Sequence, residues 1–403
     1  MDNVSILDQI MDNKKAEEVN NLDAVEIINN LFSELAEREV DVLIRRYGLH
    51  SGEKETLESI GNAHKLTRER IRQIETSSVK KLQQLKNLEG YVDTLKKVIC
   101  QLLEEHGGLM EREYMLEILA GFSADGFKSK EQDELIHKNY LNFMITKLLN
   151  KEFEEVTNSN PFKASYRLKY QDLAHLEEIA EDIHKKILEV DSIHGTKDLI
   201  EKIKNLESYN KHREKVEIDS VLDISRALKN DFYEERSDVI NDNKVLYAIL
   251  KASKEIEQNK FGHWGAKDSR EIKPKTINDK IYLILKNLNK PLHFSEIAEH
   301  INKIAFDHKK ANAATVHNEL ILDKKYILVG RGLYGLSNWG YKKGTVSDVI
   351  DEVLKEASGS LTRDEVIKRV LEKRLVKKAT IILALMNKDK SKKEGKYIST
   401  EAI

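Results

Sequence analysis

Two stretches near the C-terminus repeat one pattern of side chains without a gap. Ile281, Ile284, Leu285, Leu292, Glu296, Ile297 and Ile301 return as Ile350, Val353, Leu354, Leu361, Glu365, Val366 and Val370 at a constant offset. After a four-residue change of register, Ala314, Thr315, Val316 and Leu320 return as Ala379, Thr380, Ile381 and Leu385, and the Lys-Tyr-Ile triplet at 325 returns at 396. Self-similarity of this kind restricts the region to two copies of one small unit. The apolar spacing predicts, in each copy, a first helix, a short second helix opening at PLHFSEIAEHI or SLTRDEVIKRV, a third helix from the Ala-Thr pair and a terminal hairpin.

The chain is much longer than two such units. Its 403 residues exceed what one hydrophobic core serves, so several modules are expected. Charged residues make up 34% and prolines number three, a balance that favours many short amphipathic helices. No apolar run is long enough to span a bilayer, and the N-terminal stretch is acidic where a secretion signal would be basic, so a soluble, cytoplasmic protein without membrane contact is expected. The lone Cys100 excludes an internal disulfide and a cysteine-rich zinc module, and reads as a small helical core residue.

A net charge of -2 hides an uneven distribution. Residues 1–40 are strongly acidic, whereas Lys65, Arg68, Arg70, Arg72, Lys80, Lys81 and Lys86 face only Glu69 and Glu75 between positions 65 and 86. Leu35, Val40, Leu43, Ile44 and Tyr47 lie at helical spacing within 31–49, and Gly48 supplies a stop. Leu57 and Ile60 mark a short helix, 61–66 can form a tight turn, and Thr67 is a natural N-cap for a second helix. On that helix Ile71, Ile74, Val79, Leu82 and Leu85 make the apolar side. Glu69, Arg72, Gln73 and Thr76 then project opposite, with Arg68 and Arg70 on the flanks. Arginine donates to guanine, glutamate accepts from cytosine and glutamine pairs with adenine, so such a set at a helix N-terminus suits the major groove of duplex DNA.

Residues 31–88 closely resemble region four, the promoter-recognition part, of the bacterial sigma-70 family: ELAEREVDVLIRRYGL, TLESIG and LTRERIRQIE follow that family's pattern. The resemblance implies that Arg68, Glu69, Arg72 and Gln73 read a promoter element of the minus-35 type, that Arg70 and Lys65 touch phosphate, and that the RNA polymerase core is a partner. Two positions depart from the family: Lys65 stands where a turn glycine is usual, and His64 where an aromatic or aliphatic residue is usual. The residues before the match carry no Phe, Tyr or Trp, so a promoter-melting aromatic domain is not expected.

The first C-terminal copy, over 276–341, resembles the HARE-HTH winged-helix family, which includes the N-terminal domain of the RNA polymerase delta subunit. Its marks are the Glu-Ile-Ala helix, Ala314-Thr315-Val316 and the glycine-rich segment from Gly330 to Leu336. Gly330, Gly332 and Gly335 also spell the dinucleotide-binding fingerprint, but LSNWGYKKG follows instead of a helix, so a hairpin wing is the better reading. FGHWGAKDS at 261 echoes this wing. Helices at 221–228 and 243–256 would complete a weaker copy, and an earlier one would use a second helix from Met110 to Leu119, LNFMITKLLN and SYRLKY.

The expected class is therefore mainly α: a helix-turn-helix followed by tandem winged helices, each three helices plus a small β-hairpin wing. The segments are an acidic arm at 1–30, the helix-turn-helix at 31–88, a winged-helix unit at 91–170, a helical or winged-helix unit at 171–275, the HARE-HTH copy at 276–341 and a basic winged helix at 345–403. Acids outnumber bases in much of 171–240, which suits spacing or protein contact. Between Arg363 and Lys396 twelve Lys or Arg face five acids, a balance suited to the DNA backbone. His293, His300 and His317 read as surface or cap residues, and no metal-ligand spacing or phosphate loop occurs, so no enzyme activity, metal or cofactor is expected. The expected function is sequence-specific DNA binding in bacterial transcription. The alternatives are a polymerase-bound interaction hub resembling the delta subunit and a DNA-targeting subunit of a restriction or defence complex. Oligomeric state is left open.

Overall fold

The computed structural model describes residues 24–122, 131–157, 161–169, 171–190, 192–228, 230, 232–341, 344–357, 360–374, 376–386, 392–393 and 396–397. Residues 1–23 of the acidic arm lie outside this set. The chain forms two compact units, Met1–Gln258 with Gly262–Lys267, and Asn259–Phe261 with Asp268–Ile403. The described chain is mainly helical, with small antiparallel sheets.

The first unit opens with α1 (Ala24–Phe32), α2 (Glu37–Tyr47), α3 (Leu57–His64) and α4 (Arg68–Gln83). Residues 24–30, assigned to the arm by charge, belong to α1, and Ala24 and Ile28 are buried. The helical spacing over 31–49 is interrupted at 33–36, where Ser33 Oγ donates to Asn30 O (2.7 Å) and the Glu39 carboxylate accepts from Ala36 N (3.1 Å). Local side-chain bonds of this sort end one helix and start the next. α2 stops at Gly48, whose φ of 66° is left-handed.

Next come α5 (Leu88–Glu105), β1 (Leu109–Glu111), α6 (Arg112–Phe122) and α7 (Glu131–Phe143), which a π-helical turn, Met144–Leu148, extends. β2 (Phe153–Val156) and β3 (Ser165–Leu168) complete a three-stranded sheet in the order β1-β3-β2. The helix expected from Met110 begins two residues later, because Met110 pairs with Tyr166 across β1 and β3 and Glu111 accepts from Tyr114 N (2.7 Å).

A similar order with extra short helices follows: α8 (Ala174–Val190), a bridge from His194 to Trp264, α9 (Thr196–Lys204), the short helical stretches Glu207–Lys211, Arg213–Val216 and Ser237–Asn241, then α10 (Lys244–Ala252), β4 (Ile256–Gln258) and β5 (Trp264–Ala266). The helix expected over 243–256 ends at Ala252 and gives way to β4. The helix expected at 221–228 is absent. That stretch is extended and then turns, because its polar backbone groups have distant partners: the Glu105 carboxylate accepts from Val221 N (3.2 Å) and Leu222 N (3.2 Å), Asn241 Oδ1 from Ile224 N (3.2 Å), and Leu222 O accepts from Lys244. Asp223 also binds the Ser225 amide and hydroxyl, favouring a turn.

In the second unit α11 (Ile277–Leu288), β6 (Leu292–His293), α12 (Phe294–Ile304), α13 (Ala313–Leu322), β7 (Tyr326–Gly330) and β8 (Leu333–Leu336) repeat the order again, with the sheet β6-β8-β7. Gly332, at φ 70°, turns the β7–β8 hairpin, as the glycine-rich segment predicts. α14 (Val346–Glu356), α15 (Arg363–Lys373), α16 (Lys378–Met386) and the β9 (Lys392–Lys393) and β10 (Lys396–Tyr397) pair, bridged to Leu361, form the last copy. Most of the KDKSKKEGK cluster lies outside the described residues.

Physical roles explain the sequence repeat. Ile281, Ile284, Leu285, Leu292, Ile297, Ile301, Val316 and Leu320 are buried, and so are their counterparts from Ile350 to Leu385. The repeated glutamates do the same work: Glu296 accepts from His293 N (3.0 Å) and Glu365 from Thr362 N (2.8 Å), each closing a capping box.

Candidate nucleic-acid interface

The geometry of α3, the turn and α4 begins with two threonine caps. Thr56 Oγ1 accepts from Ser59 N (3.1 Å) and Thr67 Oγ1 from Arg70 N (3.2 Å), so α4 starts at the cap its sequence predicts and α3 at a second threonine cap that the structure adds. Between them Leu66 N donates to Gly61 O (2.9 Å), and a Cβ at Gly61 would lie 2.7 Å from Leu66 O, which restricts that position to glycine. Lys65 occupies the turn at φ 55°, the left-handed region that disfavours side chains by about 1 kcal/mol. Val42, Ile60, Ile71 and Ile74 fill the small core beneath the turn.

The polar face is open. Lys65, Thr67, Arg68, Glu69, Arg70, Arg72, Gln73 and Thr76 are all exposed, while Ile71, Ile74 and Leu82 point inward. Ser78 is buried too and back-bonds to Ile74 O (2.7 Å), so the apolar spacing alone missed it. Arg72 grips the Glu69 carboxylate through Nε (2.9 Å) and a terminal nitrogen (2.6 Å), and this bond holds the Glu69 acid below its ordinary range. Arg70 donates to Gln73 Oε1 (3.1 Å), and Thr76 Oγ1 donates to Arg72 O (2.9 Å). Arg68 and Lys65 hold no ion pair among the described residues. The exposed groups are therefore partly preorganised by one another, and a ligand's hydrogen bonds would exchange with pairs that water already weakens.

Behind that face a polar network fixes α4 against α2. His64 Nε2 lies 2.7 Å from Asp41 Oδ2, which also accepts from Arg45 Nε (2.9 Å), and Arg45 reaches Glu55 (3.1 Å). Tyr47 donates to Glu75 (2.7 Å), and burial followed by that carboxylate pushes the phenol pKa up. Lys81 binds Glu39 (2.6 Å), which holds the Glu39 acid down. His64 thus makes a polar contact to Asp41 where an apolar side chain would make none, which the spacing of residues does not disclose.

The opposite side of the helix-turn-helix is joined to α7. Phe143 packs edge-on to Phe32 and tilted on Tyr47, with ring centroids at 6.1 and 4.8 Å. Asn139 Nδ2 donates to Gly48 O and Gly52 O (both 3.0 Å), and Gln83 Nε2 donates to Lys147 O (2.7 Å). These contacts give α4 a rigid mounting.

Comparison with known proteins bears on this segment. Residues 31–84 match the family model of Sigma-70, region 4. The chain is 38% identical over 89 residues to RNA polymerase sigma factor RpoS of Coxiella burnetii, covering 21% of this chain and 25% of that protein. It is 51% identical over 57 residues to RNA polymerase sigma factor SigA of Microcystis aeruginosa, covering 14% of each. RNA polymerase sigma-C factor of a Nostoc species is 39% identical over 71 residues, or 17% of each chain. The chain thus spans a quarter or less of the length of these relatives. No solved structure matches.

Other residues flagged by the sequence are placed as follows. Cys100 is half-buried at the margin of the first core, and burial pushes its thiol pKa up. His293 caps α12, and its ring, Phe294, His317 and Tyr334 form a run of stacked and edge-on contacts. Among the described residues no helix is long and apolar enough to cross a membrane, and no cluster could hold a metal ion.

Proposed function

We propose that this chain is a sequence-specific DNA-binding transcription factor that reads a promoter-like element with α4 and works with RNA polymerase. The observation that carries the reading is the exposed set Arg68, Glu69, Arg72 and Gln73 at the capped N-terminus of α4, within a segment matching Sigma-70, region 4. Arg72 and Arg68 donate to guanine, Glu69 accepts from a cytosine amine, Gln73 pairs with adenine, and Lys65 and Arg70 hold phosphate. Thr67 positions the helix end, and Thr76 lines the groove-facing side.

The four successive sets, each with three longer helices and a hairpin and the second with short helices inserted, are read as tandem winged helices, and 276–341 as a unit of HARE-HTH type. Their repeated sheet order supports that reading. They add protein or DNA-backbone contacts to the reader. The polymerase-hub reading draws support from α10, which is buried everywhere except Lys251 and so has no face to offer a groove.

Selection of bound duplexes from a randomised pool by the full-length chain tests the proposal. A defined motif is the expected result. Uniform, unselected binding that fades with salt would reject base reading and leave the hub.

A further inference from the structure

Among the described residues eight large apolar side chains are exposed, and three of them, Ile321, Leu322 and Leu328, fall in one short stretch of the second unit. Leu322 is 77% exposed, the highest value of the eight. The stretch runs from the end of α13, through a turn at 323–325, into β7. In the order β6-β8-β7 that strand is an edge, so one row of its backbone N–H and C=O groups has no strand partner among the described residues. Exposed edges are ordinarily blunted by charge, proline or a covering element, whereas β7 presents Leu328 at its middle. Adjacent exposed apolar residues beside an open edge fit a docking surface better than a solvated one.

Charge selects the occupant. Lys324 and Lys325 are exposed at one end of β7 and Arg331 at the other, and Lys324 and Arg331 hold no ion pair among the described residues. The nearest acids, Glu319 and Asp323, both accept from Asn278 Nδ2 (3.3 and 3.1 Å), and Asp323 also makes a long ion pair with Lys325 (3.7 Å), which leaves Lys324 and Arg331 as the cations without a carboxylate among the described residues. α13 itself contains no Lys or Arg, which disfavours it as a groove reader. We propose that the free edge of β7 and the end of α13 form a docking strip for an extended, acidic segment of a partner protein. The segment would add a strand to β7, cover Ile321, Leu322 and Leu328 with aliphatic side chains, and place Asp or Glu against Lys324, Lys325 and Arg331.

The test selects displayed random peptides on the immobilised full-length chain, with Leu328→Lys and Leu322→Lys as controls. Both side chains are exposed, so neither variant should lose fold, which circular dichroism checks. Enriched peptides should alternate aliphatic residues with acids, lose about tenfold in affinity for either variant, and protect the amides of 326–330 from hydrogen exchange. The proposal is overturned if no peptide is enriched, if enriched peptides are basic or bind both variants unchanged, or if these amides are protected instead by duplex DNA. Self-association of the wild-type chain that Leu328→Lys abolishes would also overturn it, naming a second copy as the occupant. Each result is independent of whether α4 reads DNA.

Discussion

α4 and α10 are both late helices of a three-helix arrangement, yet their surroundings are opposite. α4 turns Arg68, Glu69, Arg72 and Gln73 to solvent and buries a thin apolar line. α10 is buried on nearly every side, and its first residue, Lys244, is 1% exposed and bound to Glu105 at 2.5 Å. The same kind of side chain is therefore left open to solvent in one helix and built into the core in the other. Position within a repeated architecture does not decide function; exposure and the neighbours of each charge do.

The comparison is broken most strongly at the buried pair. Glu105→Ala leaves the Lys244 ammonium with only the Leu222 carbonyl, removes the acceptor of the Val221 and Leu222 amides, and should cost about 3–5 kcal/mol in denaturant unfolding of the full chain. A loss no larger than that of an exposed charge would mean that α10 is not built as described. Burial alone pushes the Glu105 acid up, but the Lys244 bond and charge, Gln101 and the Val221 amide hold it lowered.

A nearby buried group gives the pH signature. His106 lies between Leu102 O (2.6 Å) and Tyr114 Oη (3.2 Å), and burial depresses it from 6.5 to about 4. Below 6.5 the unfolded chain takes up a proton that the folded chain refuses. Stability is therefore fully present above pH 6.5 and falls as pH drops toward 4, by about 2–3 kcal/mol. Thermal unfolding across that window should show the decline, and His106→Gln should flatten it. An unchanged slope would contradict the assignment.

The exposed helix should answer in binding instead. Arg72→Ala should remove about 1–3 kcal/mol of discrimination at one base position, while shifting unfolding by no more than about 0.5 kcal/mol. A variant that loses stability but keeps its sequence choice would erase the contrast between the helices. The smallest effect sharpens it. Lys65→Gly should relieve left-handed strain, stabilise the fold by about 1 kcal/mol, and lower the salt dependence of duplex binding by about one counterion. Higher stability with an unaltered salt slope would remove Lys65 from the phosphate set.

How much of this was legible in the sequence follows from the range of the interactions. The cap at Thr67, the stop at Gly48 and the exposed face of α4 depend on neighbours within a few residues, and the spacing shows them. The C-terminal repeat was equally readable, because Glu296 and Glu365 close local capping boxes above conserved-volume apolar positions. Residues 221–228 have helical spacing but form no helix, because the Val221 and Leu222 amides are satisfied by Glu105, more than a hundred residues earlier. The mounting of the helix-turn-helix on Phe143 and Asn139 has the same origin: no periodicity near Tyr47 or Gly48 announces a partner so distant. His64 was visible as a departure from the family, but its bond to Asp41 required the fold.

Glu69 offers the most direct test of base reading. Affinities of the wild-type chain and Glu69→Ala should be measured for the selected duplex and for each single-base variant of it at fixed salt. The wild type should prefer cytosine at one position by about tenfold or more, and Glu69→Ala should lose this preference there alone. An identical preference in both proteins, or a uniform loss at every position, would contradict it.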